Sequence, residues 1–494
     1  MMIRGLRAPT RVLDLVRRAL FVNLHWTQIV LKNMVWATLA ETVVRGLKFL
    51  LLPILARVFG PAEFGRFAFA YSFAAMFDVV FDSGLALTTT RELAIAKANE
   101  HLLPDILLMK LALGGLGMAG LALGMILITP DPTTRWMILV LGAAFFVLEM
   151  VNLSFSVFRA WQRMEYEFMV RVAQAVFLVV GVGWIAWRAP SVLNVTYAYL
   201  ISGLLTLGLV LVAMRRGPWR ISLRIRRDVW ARVLRVALPL ALASGATTVY
   251  MNVDSVMLGY FGKIVDTGWY NVAIRITGIL LVPTGLLSLV IFPAFASTST
   301  NVDATFRRRW DTWSAGMVAV GGYIACAVVA TADPVIGVVF GPAFHPAGTA
   351  LKILAITVVL IFIYTPSFQA MIVFDRQRTL FWCLLSAAVV NVILNALLIP
   401  PFGLYGSAWA TVATHVVILG ELFVLAGRCT PLRPVNGALV WAVISSGAAG
   451  AAALWGMWAV GHAVWLAVPV GGIIFAGVWV GLRKSAASAM VASW

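Results

Sequence analysis

The chain alternates between long apolar stretches and short polar breaks. Because a helix needs about 20 apolar residues to cross a bilayer, the pattern predicts about fourteen transmembrane helices. They span approximately 34–59, 64–88, 103–129, 135–158, 166–187, 191–214, 233–261, 266–296, 311–331, 348–374, 379–399, 404–426, 436–459 and 462–482. An even number of crossings returns the chain to the side of the membrane on which it began. The longest outer loop is expected near 332–348.

Arginine and lysine residues concentrate in every second polar break. The basic positions are the N-terminus, 91–97, 159–163, 215–235, 307–309, 376–378, 428–433 and 483–484. Cytoplasmic loops of membrane proteins carry this excess of positive charge. The alternation therefore predicts a multi-pass membrane protein with both termini in the cytoplasm.

A local pattern recurs on either side of the widest basic segment. Phe59, Gly60 and Gly65 close the first pair of predicted helices, and Phe261 with Gly262 begins a similar turn that closes the seventh and eighth. An offset of about 200 residues suggests two related lobes. We predict an all-α polytopic membrane protein with two pseudo-symmetric six-helix lobes around a central cavity, plus two C-terminal helices. The predicted segments are a cytoplasmic amphipathic segment (1–32), an N-lobe (33–214), a basic cytoplasmic linker (215–232), a C-lobe (233–427), two further helices (436–482) and a cytoplasmic tail (483–494).

Composition supports the membrane assignment and excludes several other classes. Of the 494 residues, 62% are hydrophobic and 12% are charged, which is more apolar than a soluble core requires. The net charge of +18 lies in predicted cytoplasmic loops, where it meets membrane lipids, and no basic soluble domain is available to bind nucleic acid. The three cysteines and five histidines are scattered without metal-ligand spacing, and no Walker motif occurs. We therefore expect no metal, no cofactor and no enzymatic activity.

Charged residues inside predicted spans are the candidates for function. Each costs about 2.5–3.5 kcal/mol at a helix centre, so it usually faces a cavity or a partner. Glu41, Arg45 and Lys48 share one face of the first span because they are four and three residues apart. A tolerated Glu41–Arg45 pair is one interpretation. Since Lys48 has no acidic neighbour within one turn, we favour a role in a cavity.

Four further charged residues lie within predicted spans. Arg275 in the eighth span shares a face with Asn271, and it is either a cavity residue or a side chain that reaches the outer interface. Asp254 in the seventh span, and Asp78 with Asp82 in the second, are each either an ion-coupling site or the counter-ion of a basic residue elsewhere.

Two stretches resemble a known family. Residues 55–73 (LARVFGPAEFGRFAFAYSF), followed by 81–94, are similar to the first-loop signature of the oligosaccharide and polysaccharide flippases of the multidrug/oligosaccharidyl-lipid/polysaccharide exporter superfamily. Residues 250–296 resemble the seventh and eighth helices of the same family. The arginine–aspartate pair of the first helix in the lipid II branch is not present, which favours the exopolysaccharide or O-antigen branch.

The resemblance implies a function and a set of partners. It implies transport of undecaprenyl-diphosphate-linked oligosaccharide across the inner membrane by alternating access, with a polysaccharide polymerase and a chain-length regulator as possible partners. Arg45, Lys48 and Arg275 then match the cationic positions that bind a diphosphate. Glu41, Asp78, Asp82 and Asp254 are the candidates for ion coupling or for counter-ions.

Three other functions stay open from the sequence. A multidrug or cation antiporter of the same superfamily would favour acidic and aromatic residues over the basic ones seen here. A membrane-embedded glycan polymerase or ligase would need catalytic carboxylates on outer loops, which are short and poor in such residues here. A scaffold for the glycan-assembly machinery is compatible with transport.

Overall fold

The computed structural model describes residues 26–95, 102–214, 227–298, 302–460 and 464–492, and those ranges are helical without any β-strand. Most of the predicted amphipathic segment and of the basic linker lie outside them. The helices are α1 (Trp26–Met76), α2 (Asp78–Asp82), α3 (Leu85–Ile95), α4 (Leu103–Ile128), α5 (Pro132–Ala160), α6 (Met164–Arg188), α7 (Val192–Met214), α8 (Arg227–Tyr260), α9 (Ile264–Leu280), α10 (Val282–Ala296), α11 (Ala304–Phe340), α12 (His345–Val373), α13 (Gln377–Cys429), α14 (Gly437–Val460) and α15 (Val464–Ala492), with a 3₁₀ turn at Pro342–Phe344.

The all-α membrane fold is confirmed. Nine of the helices within the described ranges are long and apolar enough to cross a membrane. One of them, α13, is 53 residues long and bends at Gly403, where the backbone is not helical, so it covers two of the predicted spans. The number of crossings, about fourteen by the length criterion, stays a prediction.

Some predicted boundaries are wrong. The second span is not one helix, because α1 ends at Met76, α2 ends at a left-handed Ser83 and α3 begins at Leu85. The eighth span is divided between α9 and α10 at Leu281. The expected outer loop at 332–348 is mostly helical, since α11 continues through Pro334 to Phe340.

The chain forms two compact units. Unit 1 contains the described residues up to Phe59 together with Ala70–Asn252, and unit 2 contains Gly60–Phe69 together with the described residues from Val253 onwards. Both α1 and α8 therefore contribute to each unit. The predicted lobe boundaries stay predictions.

Unit 1 is built around α5, which packs against α3, α4 and α7. Phe155 and Val151 of α5 meet Val170 of α6 and Val210 of α7 in one buried apolar cluster. This packing holds the polar side chains of α5 and α6 in fixed positions between apolar layers.

Unit 2 is built around α11, α12 and α13. An aromatic cluster that includes Phe295, Trp310 and Phe362 joins α10, α11 and α12. Small residues such as Ala449 and Ala453 bring α14 close to α11 and α15.

The turn of α1 at Gly60 packs against α9 within unit 2. Gly60 breaks the helix with φ 69°, a conformation that favours glycine. A Cβ atom on Gly65 would lie 1.9 Å from the carbonyl oxygen of Ile264, and one on Gly268 would lie 2.2 Å from that of Pro61. The two helices therefore meet backbone to backbone, and both contact positions require glycine.

Candidate functional site

A row of alternating charges runs across α1, α5 and α6 in unit 1, and we call it the ionic row. Its members, in spatial order, are Arg45, Glu41, Arg171, Glu167 and Arg159. Arg45 donates from Nε to Glu41 at 2.5 Å, and Arg159 donates two hydrogen bonds to Glu167 at 2.8 and 2.6 Å. Arg171 lies 2.8 Å from Glu167 and 3.7 Å from Glu41. The ionic row thus has one more positive than negative charge.

The start of α1 is attached to the turn between α5 and α6. Lys32 Nζ lies 3.0 Å from Glu165 and donates to the carbonyl oxygen of Gln162 at 3.3 Å. Asn33 donates to the Gln162 side chain at 2.6 Å, and Trp36 packs against Phe168 with ring centroids 4.8 Å apart. These contacts fix the half of α1 that carries Glu41 and Arg45 against α6.

A buried charged cluster joins α2, α4 and α5 in unit 1. The side chain of Lys110 is fully buried, and its Nζ lies 2.8 Å from Glu149 and 3.1 Å from Asp82. Glu149 also accepts a hydrogen bond from Asn152 at 2.5 Å. Asp78 lies close enough to interact electrostatically with Lys110, Glu149 and Asp82. Asp78 and Asp82 therefore lie beside a lysine of another helix, which is the kind of partner that their interpretation as counter-ions requires.

Asp254 lies in a buried polar cluster of unit 2. Tyr270 donates to Oδ2 at 2.5 Å, Thr411 donates to the same oxygen at 3.1 Å, and Asn395 donates to Oδ1 at 2.7 Å. Asn391 in turn accepts a hydrogen bond from Asn395 at 3.0 Å. In the part of unit 2 that the structure describes, no lysine or arginine lies within 4.0 Å of Asp254. Among the described residues of unit 2, Asp254 therefore has no basic residue that could be its counter-ion.

Some oxygen atoms beside Asp254 are left for a ligand. Oδ1 of Asn395 and Oγ of Ser407 are buried and accept or donate no hydrogen bond with any described residue. Carboxylate, amide and hydroxyl oxygens of this kind are the donor type that hard cations prefer. Among the residues placed by the structure, no three His, Cys, Asp or Glu side chains are arranged to hold a metal ion.

The three predicted substrate-binding residues are exposed. Arg45 and Lys48 lie on α1 in unit 1, and Arg275 lies on α9 in unit 2. Arg45 is paired with Glu41, as one sequence interpretation predicted, but 63% of its side chain stays accessible. Their role in binding stays a prediction.

Sequence reasoning missed the partners that come from other helices. Lys110 and Glu149 are each an isolated charge in an apolar span, and they lie 39 residues apart, so helical spacing gives no sign that they pair. Arg171 lies near the predicted cytoplasmic end of its span, where membrane orientation explains most arginines, and the structure places it beside Glu41. Asn391 and Asn395 share a helix face, which is typical of contacts between helices, and in the structure Asn395 donates to both Asp254 and Asn391.

The fold is similar to that of solved membrane transporters. A structure described as "Lipid II flippase MurJ, inward closed conformation" aligns with a TM-score of 0.71 and 13% identity, covering 93% of this chain and 100% of that one. An inward-facing multidrug resistance MATE family transporter of the MOP superfamily aligns with a TM-score of 0.62 and 16% identity, covering 79% of this chain and 97% of that one. At these identities the similarity shows the fold alone.

Sequence comparison identifies the family. A curated protein named "Probable flippase AglR", from Haloferax volcanii, is 31% identical over 188 residues, which are 37% of this chain and 38% of that protein. The match therefore covers much less than two thirds of the length of this relative. The sequence profile of a family described as "Polysaccharide biosynthesis protein" matches residues 30–299. Because that match spans more than half of the 494 residues, the chain belongs to the polysaccharide biosynthesis protein family.

Proposed function

We propose that the protein is a flippase that carries undecaprenyl-diphosphate-linked oligosaccharide units across a bacterial inner membrane for exopolysaccharide or O-antigen synthesis. Membership of the polysaccharide biosynthesis family and the name of the curated relative support lipid-linked glycan as the cargo. The transporter fold supports movement of cargo by alternating access rather than catalysis. A polymerase and a chain-length regulator are the partners that this pathway would supply.

The observation that carries the proposal is that Arg45 lies deep within α1 and yet has an accessible side chain. It lies fifteen residues before the Gly60 break, which is about 22 Å along a helix and therefore within the hydrocarbon region. Its side chain is 63% accessible, and its hydrogen bond to Glu41 is donated by Nε. A charged and accessible group at this depth faces water rather than lipid. Its two terminal nitrogens are then available for a phosphate, which a guanidinium binds with two parallel hydrogen bonds.

Loss of this arginine should stop export without stopping insertion. We expect Arg45→Ala and Arg275→Ala each to reduce surface polysaccharide by about tenfold, the effect of losing one charge-assisted contact of about 1.4 kcal/mol. Lys48→Ala should reduce it less, because an ammonium group lacks the bidentate geometry. The measurements are surface glycan per unit of membrane-inserted protein, and accumulation of lipid-linked repeat units on the cytoplasmic side. Normal polymer output from Arg45→Ala/Arg275→Ala at normal protein levels would refute the diphosphate site.

The fold shared with multidrug transporters keeps a drug exporter as the alternative. An exporter of cationic drugs would tolerate the loss of Arg45, since a positive charge repels such cargo. Two results together would favour this alternative. Drug efflux would persist in Arg45→Ala, and cells lacking the protein would make as much surface glycan as wild-type cells do.

We propose that Asp254 binds the coupling ion, either a proton or a small monovalent cation. The support is its burial to 8% accessibility, its hydrogen bonds from Tyr270, Thr411 and Asn395, and the buried oxygens Asn395 Oδ1 and Ser407 Oγ, which have no hydrogen-bond partner among the described residues. A buried carboxylate with hydrogen-bond donors but no basic neighbour among the described residues of its unit has one negative charge that a bound cation can neutralise.

Removal of that charge should slow transport and leave folding intact. Asp254→Asn keeps the shape and hydrogen-bonding capacity, so we expect normal accumulation and at least about a tenfold loss of glycan export, equivalent to about 1.4 kcal/mol. Asp333→Asn is the matched control, because this aspartate of unit 2 is paired with Lys352 and is partly exposed. Export by Asp254→Asn at the wild-type rate would assign Asp254 a purely structural role.

A further inference from the structure

The two glutamates of the ionic row are held in different ways. Glu167 is 9% accessible and receives three short contacts, two from Arg159 and one from Arg171. Glu41 is 49% accessible and receives a single hydrogen bond, from Arg45. Glu167 is therefore a fixed structural anion, whereas Glu41 is weakly held and open to exchange.

Arg171 is incompletely satisfied. One of its terminal nitrogens contacts Glu167 at 2.8 Å, and the other lies 3.7 Å from Glu41, which is too far for a hydrogen bond. Its Nε is buried and has no hydrogen-bond partner among the residues that the structure describes. The guanidinium is kept in place by Glu167 on one side and by the ring of Phe155, 5.3 Å away, on another. It is thus positioned rigidly with donors to spare.

Glu41 sits where an external anion would bind. One of its carboxylate oxygens contacts Arg45 and the other faces Arg171, so one small anion lies between two guanidinium groups from different helices. A diphosphate carries more negative charge and more acceptor oxygens than a carboxylate, and each of its phosphates can accept two parallel hydrogen bonds from an arginine. The two guanidinium groups beside Glu41 can therefore form more hydrogen bonds with a diphosphate than they form with the carboxylate.

We infer that Glu41 is an exchangeable internal counter-ion, which the diphosphate head group of a polyprenyl lipid displaces to bridge Arg45 and Arg171. This inference rests on the proposed function and adds two residues to it. Arg171 is a head-group ligand in its own right, and Glu41 sets how readily the head group binds and leaves. When the lipid leaves, Glu41 returns to Arg45 and keeps the positive charges neutralised.

Opposite effects of two substitutions test the exchange. The probe is geranylgeranyl diphosphate, titrated into the purified full-length protein in detergent, with geranylgeraniol as the uncharged reference. We expect Glu41→Gln to bind the diphosphate about tenfold more tightly, because the competing charge is gone while the shape is kept, and to export glycan more slowly because release is hindered. Arg171→Ala should bind about tenfold more weakly.

Matched controls separate this exchange from general effects of charge. Glu63→Gln also removes an exposed glutamate of α1 that is paired with an arginine, Arg66, and Arg188→Ala removes an arginine from the other end of α6. Neither should change the affinity for the diphosphate. In Glu41→Gln/Arg171→Ala the gain in diphosphate affinity from Glu41→Gln should shrink at least threefold, since neighbouring groups that act on one binding site are not additive.

The outcomes distinguish the two proposals. If Arg45→Ala abolishes diphosphate binding while Glu41→Gln and Arg171→Ala bind as the wild type does, the counter-ion exchange is wrong and the proposed function stands. If the wild type binds geranylgeranyl diphosphate no better than geranylgeraniol, the proposed function itself is wrong. If Arg171→Ala accumulates poorly, Arg171→Lys is measured instead, and wild-type affinity in that variant overturns the assignment of a bidentate ligand.

Discussion

Lys110→Met should prevent the protein from accumulating in the membrane. Lys110 is fully buried and is the basic member of a cluster with Glu149, Asp82 and Asp78. Without it, three carboxyl groups face one another between apolar helices, and breaking a buried pair of this kind costs about 3–5 kcal/mol. Because that is a large fraction of the stability of a typical fold, we expect little inserted protein, and a midpoint of thermal unfolding lower by at least about 6 °C in what remains.

Two further variants test the reason for this loss. Lys263→Met removes an exposed lysine from the turn before α9 and should leave both accumulation and the unfolding midpoint unchanged. Lys110→Met/Glu149→Gln removes a carboxylate with the lysine, so it should recover part of the lost stability. Full accumulation of Lys110→Met with a wild-type unfolding midpoint would contradict the assignment of Lys110 as the essential counter-ion.

Gly268→Ala and Gly65→Ala should abolish export while the protein still inserts. The added methyl group would lie 2.2 Å from the carbonyl oxygen of Pro61 in the first variant and 1.9 Å from that of Ile264 in the second. Both obstacles are backbone atoms, which cannot rotate aside as a side chain can. Overpacking of this kind costs about 1–3 kcal/mol, so the arrangement in which α1 and α9 touch loses about tenfold or more of its population. Surface glycan per inserted protein is the measurement.

Gly278→Ala is the control for helix propensity. Gly278 lies on the same helix, α9, but no atom lies within 4 Å of the position where its Cβ would stand. Alanine is favoured over glycine within helices by about 1 kcal/mol, so this variant should export normally and be slightly more stable. Wild-type export by both contact variants, at equal protein levels, would show that the approach of α1 to α9 is not part of the transport cycle.

The sequence predicted the fold class because its signals act locally. Apolar length and the alternation of basic breaks are properties of each stretch by itself, and most of each predicted stretch is helical in the part of the chain that the structure describes. The break at Ser83 and Gly84 was visible as a serine–glycine pair, yet the hydropathy of the flanking residues concealed it. A hydropathy value is an average over a whole span, so it does not reveal a single residue with a left-handed backbone conformation.

The candidate site was less predictable because its partners come from different helices. Helical spacing linked Glu41 to Arg45 and also linked Asp78 to Asp82, and both relations are part of the structure. The same spacing cannot link Glu41 to Arg171, which is 130 residues further along the chain. Pairing across helices depends on the rotation and depth of each helix, and those are set by packing.

The division of α1 and α8 between the two units has a consequence for biogenesis. Residues 60–69 belong to unit 2, although they leave the ribosome before most of unit 1 exists, and unit 1 is completed only by the part of α8 that ends at Asn252. At about 5–20 residues per second, Gly65 precedes its contact Gly268 by about 10–40 s of synthesis. Until then the backbone of that turn has no native neighbour on α9, so the contact of Gly65 with Ile264 and Gly268 forms late in synthesis. A gene split within the basic segment would likewise yield two fragments, neither of which encodes a complete unit.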